Sequence, residues 1–186
     1  MTCIVSYTDN NKMYLACDNY TQMGERVYRK TLPKVYEKGD LLIGGAGNVS
    51  NLQAVFYFTD FTRDETKEDD KRDDFHYILF DVVEEMRLAL KSRGLIRFED
   101  GVEVYDASFL VGYKGKFYNI GPDFSVMESV EPYDSVGTGK MVALGSLYTT
   151  NYFDLPVERK IEFALEAASV HHSDVEPPFE IISKEV

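Results

Sequence analysis

Residue 2 is where chemistry first becomes legible in this sequence. A small second residue such as Thr2 lets the initiator Met1 be removed, which leaves a threonine with a free α-amine. Nucleophile and base then share one residue. The hydroxyl attacks a carbonyl, and the amine, with a reference pKa of about 7.7–8.0, accepts its proton near neutral pH. Such a site needs no histidine. Thr2 alone also reads simply as the residue after the start codon, so the choice rests on other positions. Asp18 closes the second predicted strand, Lys34 begins a later one, and Gly44-Gly45-Ala46-Gly47 ends the next. By residue type, Asp18 and Lys34 read equally as a structural cross-strand ion pair, and the glycines as turn geometry.

Competing chemistries lack their residues. There is no Gly-rich phosphate loop, no HExxH and no CxxC, so neither a cofactor nor a zinc site from local ligands is expected. His171-His172 with Asp174 has the residue types of a metal site. At a helix end such a pair more simply satisfies terminal carbonyls, and no metal is expected. Cys3 and Cys17 do not make a disulfide scaffold, which points to a reducing cytoplasm. Cys3 reads as a small core residue.

The elements that position these residues alternate in blocks. Ile4–Tyr7, a turn at Asp9–Lys12, and Met13–Cys17 predict a hairpin. Val27-Tyr28, Lys34–Tyr36 and Leu41–Ile43 predict further strands, the last running into a glycine turn at Gly44–Gly47. Helical spacing begins at Asn48 or Ser50, both good N-caps, with Leu52, Val55, Phe56 and Thr59 on one face. From Asp60 to Asp74 there are eight acids and four bases, a solvated loop or frayed helix end. A second helix buries Phe75, Ile78, Leu79, Val82, Val83, Met86 and Leu90 and stops at Gly94. Strands return at Ser108–Gly112, Phe117–Ile120, Val126–Val130 and Ser135–Gly139. A third helix starts near Lys140. A fourth starts near Pro156 with Asp154 as its cap, and a last strand covers Phe179–Ile182.

Strands, two helices, strands, two helices, strand is not βαβ alternation. It predicts an α+β chain in which two antiparallel sheets lie between helix layers, a four-layer αββα sandwich. The chain has 186 residues and 44% hydrophobic residues, enough for one domain spanning 1–186. A net charge of −12 argues against nucleic-acid and anionic-membrane binding, which need clustered Lys and Arg. No stretch approaches the roughly 18 apolar residues of a membrane span. Met1–Val5 has neither the basic region nor the cleavage site of a signal peptide.

Taken in order, these motifs resemble the proteasome β-type and HslV-like threonine peptidases of the N-terminal-nucleophile hydrolases. Met1-Thr2-Cys3-Ile4-Val5-Ser6 resembles the family's Met-Thr-Thr-Ile-Val start, and Ala16-Cys17-Asp18 its Ala-Gly-Asp. Gly24 and Val27 fall at like positions, and Lys34-Val35 matches its Lys-Val pair. Gly44–Gly47 resembles its Gly-x-Ala-Gly turn. Val136-Gly137-Thr138-Gly139 is similar to its Ile-Gly-Ser-Gly, and Ala164–Ala168 to its penultimate helix. The likeness spans most of the chain outside the acidic stretch.

The resemblance implies that Thr2 is the nucleophile, that Lys34 lowers the pKa of its hydroxyl and amine, and that Asp18 pairs with Lys34. It implies that the Gly47 N–H faces the oxyanion, that Thr138 supports Thr2, and that Asp174 stands for the family's late acidic residue. Gly45, at the specificity position, would leave a deep pocket for a bulky apolar side chain. Partners implied are copies of the chain in a closed ring homo-oligomer, an AAA+ unfoldase, and unfolded protein as substrate. The departures are Lys140 where the family has a second glycine, and Glu176-Pro177-Pro178 where it has Ser-Gly-Gly. Two rivals remain at this point: a catalytically inactive relative that binds or assembles, and an amidase of the same fold acting on a small amide.

Overall fold

The computed structural model describes residues 2–9, 11–23, 26–29, 33–61 and 73–186. The first hairpin joins β1 (Cys3–Thr8) to β2 (Lys12–Asp18). Its turn is closed by the Asp9 carboxylate, which accepts from the amides of Asn11 and Lys12 at 2.9 and 2.8 Å. A short ribbon follows, β3 (Tyr20–Met23) with β4 (Arg26–Arg29), then β5 (Val35–Lys38) and β6 (Leu41–Gly47). Gly24 lies outside the described residues, as do Met1 and 62–72, most of the acidic stretch.

Helix α1 (Val49–Phe58) is capped by Asn48, whose side chain accepts from Ser50 N. The next helical run is α2 (Asp74–Tyr77), a π-helical segment (Ile78–Val82) and α3 (Val83–Ser92). The π segment shifts the buried face, so Tyr77 enters the core while Phe75 and Leu79 are only half-buried. The Gly94 and Leu95 amides bond the carbonyls of Lys91 and Leu90, the stop expected at Gly94. Two short exposed strands, β7 (Arg97–Glu99) and β8 (Val102–Val104), precede β9 (Ala107–Tyr113), β10 (Lys116–Ile120), β11 (Val126–Glu128) and β12 (Tyr133–Gly137). Helices α4 (Lys140–Thr150) and α5 (Val157–His171) lead to β13 (Phe179–Glu185). The cap of α5 is Pro156, in extended conformation, and not Asp154. Proline ahead of the first turn fixes the entry without donating an amide that the helix could not use.

The strands form two main antiparallel sheets, ordered β12-β1-β2-β13 and β11-β10-β9-β6-β5. Ile4, Leu15, Leu42, Leu110 and Val136 pack between the sheets. Outside the first sheet, α4 and α5 cover Cys3, Val5 and Ala16 with Leu147, Ile161 and Leu165. Outside the second, α1 and the α2–α3 run cover Ile43, Phe109 and Val111 with Leu52, Val55 and Met86. The architecture is therefore the αββα sandwich. Each fully buried Leu, Ile or Phe in these layers contributes about 1.5–3 kcal/mol.

A second local expectation is corrected. Gly44–Gly47 is the end of strand β6, paired with β9 through Gly47↔Ala107, and not a turn. The glycines answer to packing. A Cβ on Gly44 would sit 2.7 Å from Ile4 Cγ2 across the sheet interface.

Candidate functional site

Thr2 immediately precedes β1, and its backbone is held on both sides of its carbonyl. The Thr2 carbonyl accepts from Thr138 N at 2.7 Å, and the next amide, Cys3 N, donates to Asp18 Oδ1 at 2.9 Å. Two strand pairings set this up. The Cys3↔Gly137 register brings the end of β12 beside Thr2, and Ile4↔Cys17 brings Asp18 opposite Cys3.

Asp18 also joins Lys34. Lys34 Nζ donates to Asp18 Oδ2 at 2.7 Å and to the Tyr20 carbonyl at 2.5 Å, while Tyr20 N donates to Asp18 Oδ2 at 3.1 Å. Lys34 lies just before β5, and its carbonyl accepts from Gly45 N at 2.9 Å, which fixes the stem. Thr2, Asp18 and Lys34 are 6, 0 and 4% exposed. Burial pushes the Asp18 carboxyl above its ordinary value, against the pull of the Lys34 charge and hydrogen bond and of the Cys3 and Tyr20 amides. Burial pushes the Cys3 thiol up to about 12, so at neutral pH it is a protonated core group and not a second nucleophile.

Two glycines shape the rest. A Cβ on Gly137, at φ 98°, would fall 2.2 Å from the Thr2 carbonyl oxygen and 3.1 Å from Ala46 Cβ. Thr2, Ala46 and Gly137 therefore converge where only a residue without a side chain fits. Gly47, next to Ala46, is exposed and has φ 141°. Its Cβ would strike Asp106 O and Ala107 Cα at 2.5 Å.

The structure thus brings together Thr2, Asp18, Lys34 and the Thr138 backbone, with Gly47 at the end of the adjoining strand. Thr138 itself is exposed. Asp174 lies in the turn after α5, half-buried, and enters none of these hydrogen bonds; its neighbour Val175 packs in the cluster that contains Cys3. The pocket expected over Gly45 is not open. A Cβ there would meet Leu52 Cδ2 at 2.5 Å and Phe109 Cε1 at 2.7 Å, because this side of β6 faces the α1 layer. Sequence reasoning missed Tyr20, which acts through its backbone and so leaves no residue-type signal. It also missed the close approach at Gly137. Among the described residues, no group of three His, Cys, Asp or Glu is placed to hold a metal. No helix among them is long and apolar enough to cross a membrane.

No protein-family model matches the chain, and no curated protein matches it in sequence. Solved structures match its fold, among them BPH, HslV and Anbu proteins. BPH from Thiobacillus denitrificans, solved in complex with epoxomicin, is 18% identical over 98% of both chains with a TM-score of 0.79. Eukaryotic HslV from Trypanosoma brucei is 17% identical over 99% of both, with a TM-score of 0.74. Anbu from Pseudomonas aeruginosa, solved as a helical assembly, is 18% identical over 98% of this chain and 81% of its own, at 0.67. At these identities the likeness is one of fold.

Proposed function

We propose that the chain is the subunit of a chambered threonine-type endopeptidase that hydrolyses unfolded protein. The observation that carries this reading is the clamp on Thr2, with Thr138 N on its carbonyl, Asp18 on the following amide, and Lys34 locked to that same carboxylate. This is more order than a residue after a start codon requires.

Hydrolysis of the Met1–Thr2 peptide bond frees the Thr2 amine. Thr2 Oγ then attacks the scissile carbonyl, and its proton passes to that amine. The buried Lys34 ammonium lowers the pKa of both Thr2 groups by proximity of charge, and Asp18 keeps it in place. The Gly47 N–H receives the developing oxyanion. Collapse breaks the C–N bond, and the leaving amine takes the proton from the Thr2 ammonium. Water, deprotonated by the same amine, cleaves the ester and restores the hydroxyl. The Thr138 hydroxyl and the Asp174 carboxylate are assigned the supporting places beside the nucleophile.

In this reading the copies close into a ring in the cytoplasm, and a separate AAA+ unfoldase supplies the substrate. Self-assembly has precedents in the solved Anbu helix, and the epoxomicin complex of BPH points to an inhibitor worth trying on this chain. Peptide hydrolysis by the purified protein, abolished by Thr2→Ala with the fold intact, tests the proposal. Equal hydrolysis by the Thr2→Ala variant refutes it.

A further inference from the structure

A row of three tyrosines crosses the first sheet at the end away from Thr2. Tyr7 on β1 pairs with Tyr133 on β12 and with Tyr14 on β2. Cross-strand partners share a face, so the three phenols lie together under α4 and α5. Tyr7 is five residues beyond Thr2, about 16 Å along the strand.

Lys160, at the end of the first turn of α5, stands over the middle of this row, with Nζ 5.5 Å from the centre of the Tyr7 ring. The residue is only 8% exposed. Its ammonium carries three N–H groups. One meets the Tyr7 hydroxyl at 3.4 Å, and that hydroxyl gives its own proton to Asn151 Oδ1 at 2.6 Å. The chain has 32 acidic residues, yet among the described ones none bonds Lys160. Glu158, two residues away, is exposed, and Arg159 takes up Glu162 and Glu166.

The donors around this ammonium are also unused. The Asn151 NH₂ group and the hydroxyls of Tyr14 and Tyr133 make no hydrogen bond among the described residues, and none of these atoms is closed off from solvent. Helix α5 has no side-chain cap. A helical side chain leans back toward the N-terminus, so Lys160 adds its charge to the positive end of the helix.

We infer that this cluster is a binding site for a monovalent anion, a carboxylate or a halide. The Lys160 ammonium receives the charge, between the Asn151 amide and the phenols of Tyr14 and Tyr133. A buried ammonium without an anionic partner is costly, and a bound anion offsets that cost. The unused groups all donate, which suits a ligand that only accepts. One ammonium balances one negative charge, and a chain of net charge −12 repels a second. The inference does not depend on catalysis at Thr2.

The test is urea unfolding of the full chain, of Lys160→Met and of Asn151→Asp, in NaCl, sodium acetate and sodium sulfate at matched ionic strength. Raising the preferred anion from about 1 to about 100 mM should raise the folding constant of the wild type at least about tenfold relative to that of Lys160→Met, as for a Kd of about 10 mM or below. The ratio between the two proteins removes the general effect of salt. The chloride and acetate arms separate a halide from a carboxylate. Asn151→Asp places a carboxylate beside the ammonium within the chain. It should be more stable than the wild type at about 1 mM salt and should lose the anion response, which keeps the test open if Lys160→Met does not fold. A ratio that changes less than twofold with both monovalent anions, a larger response to sulfate than to either, or an Asn151→Asp protein that responds as the wild type does would each overturn the inference.

Discussion

Lys34 Nζ lies 2.7 Å from Asp18 Oδ2, and the two side chains are 4 and 0% exposed. Such a pair is weak evidence for stability, because desolvation offsets much of the attraction, yet breaking it strands a buried charge. Lys34→Met should therefore cost about 3–5 kcal/mol in urea unfolding. Asp18→Asn combined with Lys34→Met should cost less than the sum of the single changes. Additive losses would show that the two groups are energetically independent.

Gly137 is the next test of the clamp. Gly137→Ala would put a methyl 2.2 Å from the Thr2 carbonyl, at φ 98°. Gly39→Ala is the control, since Gly39 has φ 57° and open space around it. The control should cost only the left-handed backbone penalty, about 1–2 kcal/mol. Gly137→Ala should cost clearly more by thermal unfolding and should reduce any peptide hydrolysis. Equal costs would remove the steric argument for the site.

The buried thiols predict a base-labile fold. Burial raises the Cys3 thiol from 9.0 to about 12, and the Cys17 thiol is raised in the same way. As pH rises above 9.0, the unfolded chain loses these protons while the folded chain keeps them, so stability falls, by up to about 1.4 kcal/mol per pH unit for each thiol. Denaturant titrations between about pH 9 and 10 should show that slope. Cys3→Ala should flatten it; an unchanged slope would mean that Cys3 ionises freely in the fold.

Lys160 is 8% exposed and, among the described residues, its ammonium hydrogen-bonds only the Tyr7 hydroxyl, at 3.4 Å. No carboxylate pairs with it among them. Lys160→Met keeps the long apolar stem and removes a buried charge, so it should leave urea stability unchanged or raise it by about 1 kcal/mol. A loss above about 2 kcal/mol would show that the ammonium is held by more than this phenol.

The layered order was legible because strand and helix periods alternate in blocks, and Asn48 announced α1 by residue type. What escaped the sequence depends on distant neighbours. Gly44–Gly47 reads as a turn until Ile4 and Phe109 are seen pressing against it. The same contact closes the pocket expected over Gly45. Strand β3 and the exposed β7–β8 ribbon have too little apolar alternation to be seen, and the π segment breaks the 3.6 period over Phe75–Val83. At the site, residue types pointed to Thr2, Asp18 and Lys34, but not to the Tyr20 backbone that completes the Lys34 cradle.

Whether Thr2 becomes an N-terminal nucleophile is read out by intact mass spectrometry of the purified protein, before and after epoxomicin. Loss of Met1 and a single adduct that disappears in Thr2→Ala are expected. Retained Met1 with no adduct would contradict this role and leave a chain with the fold of these peptidases but without their chemistry.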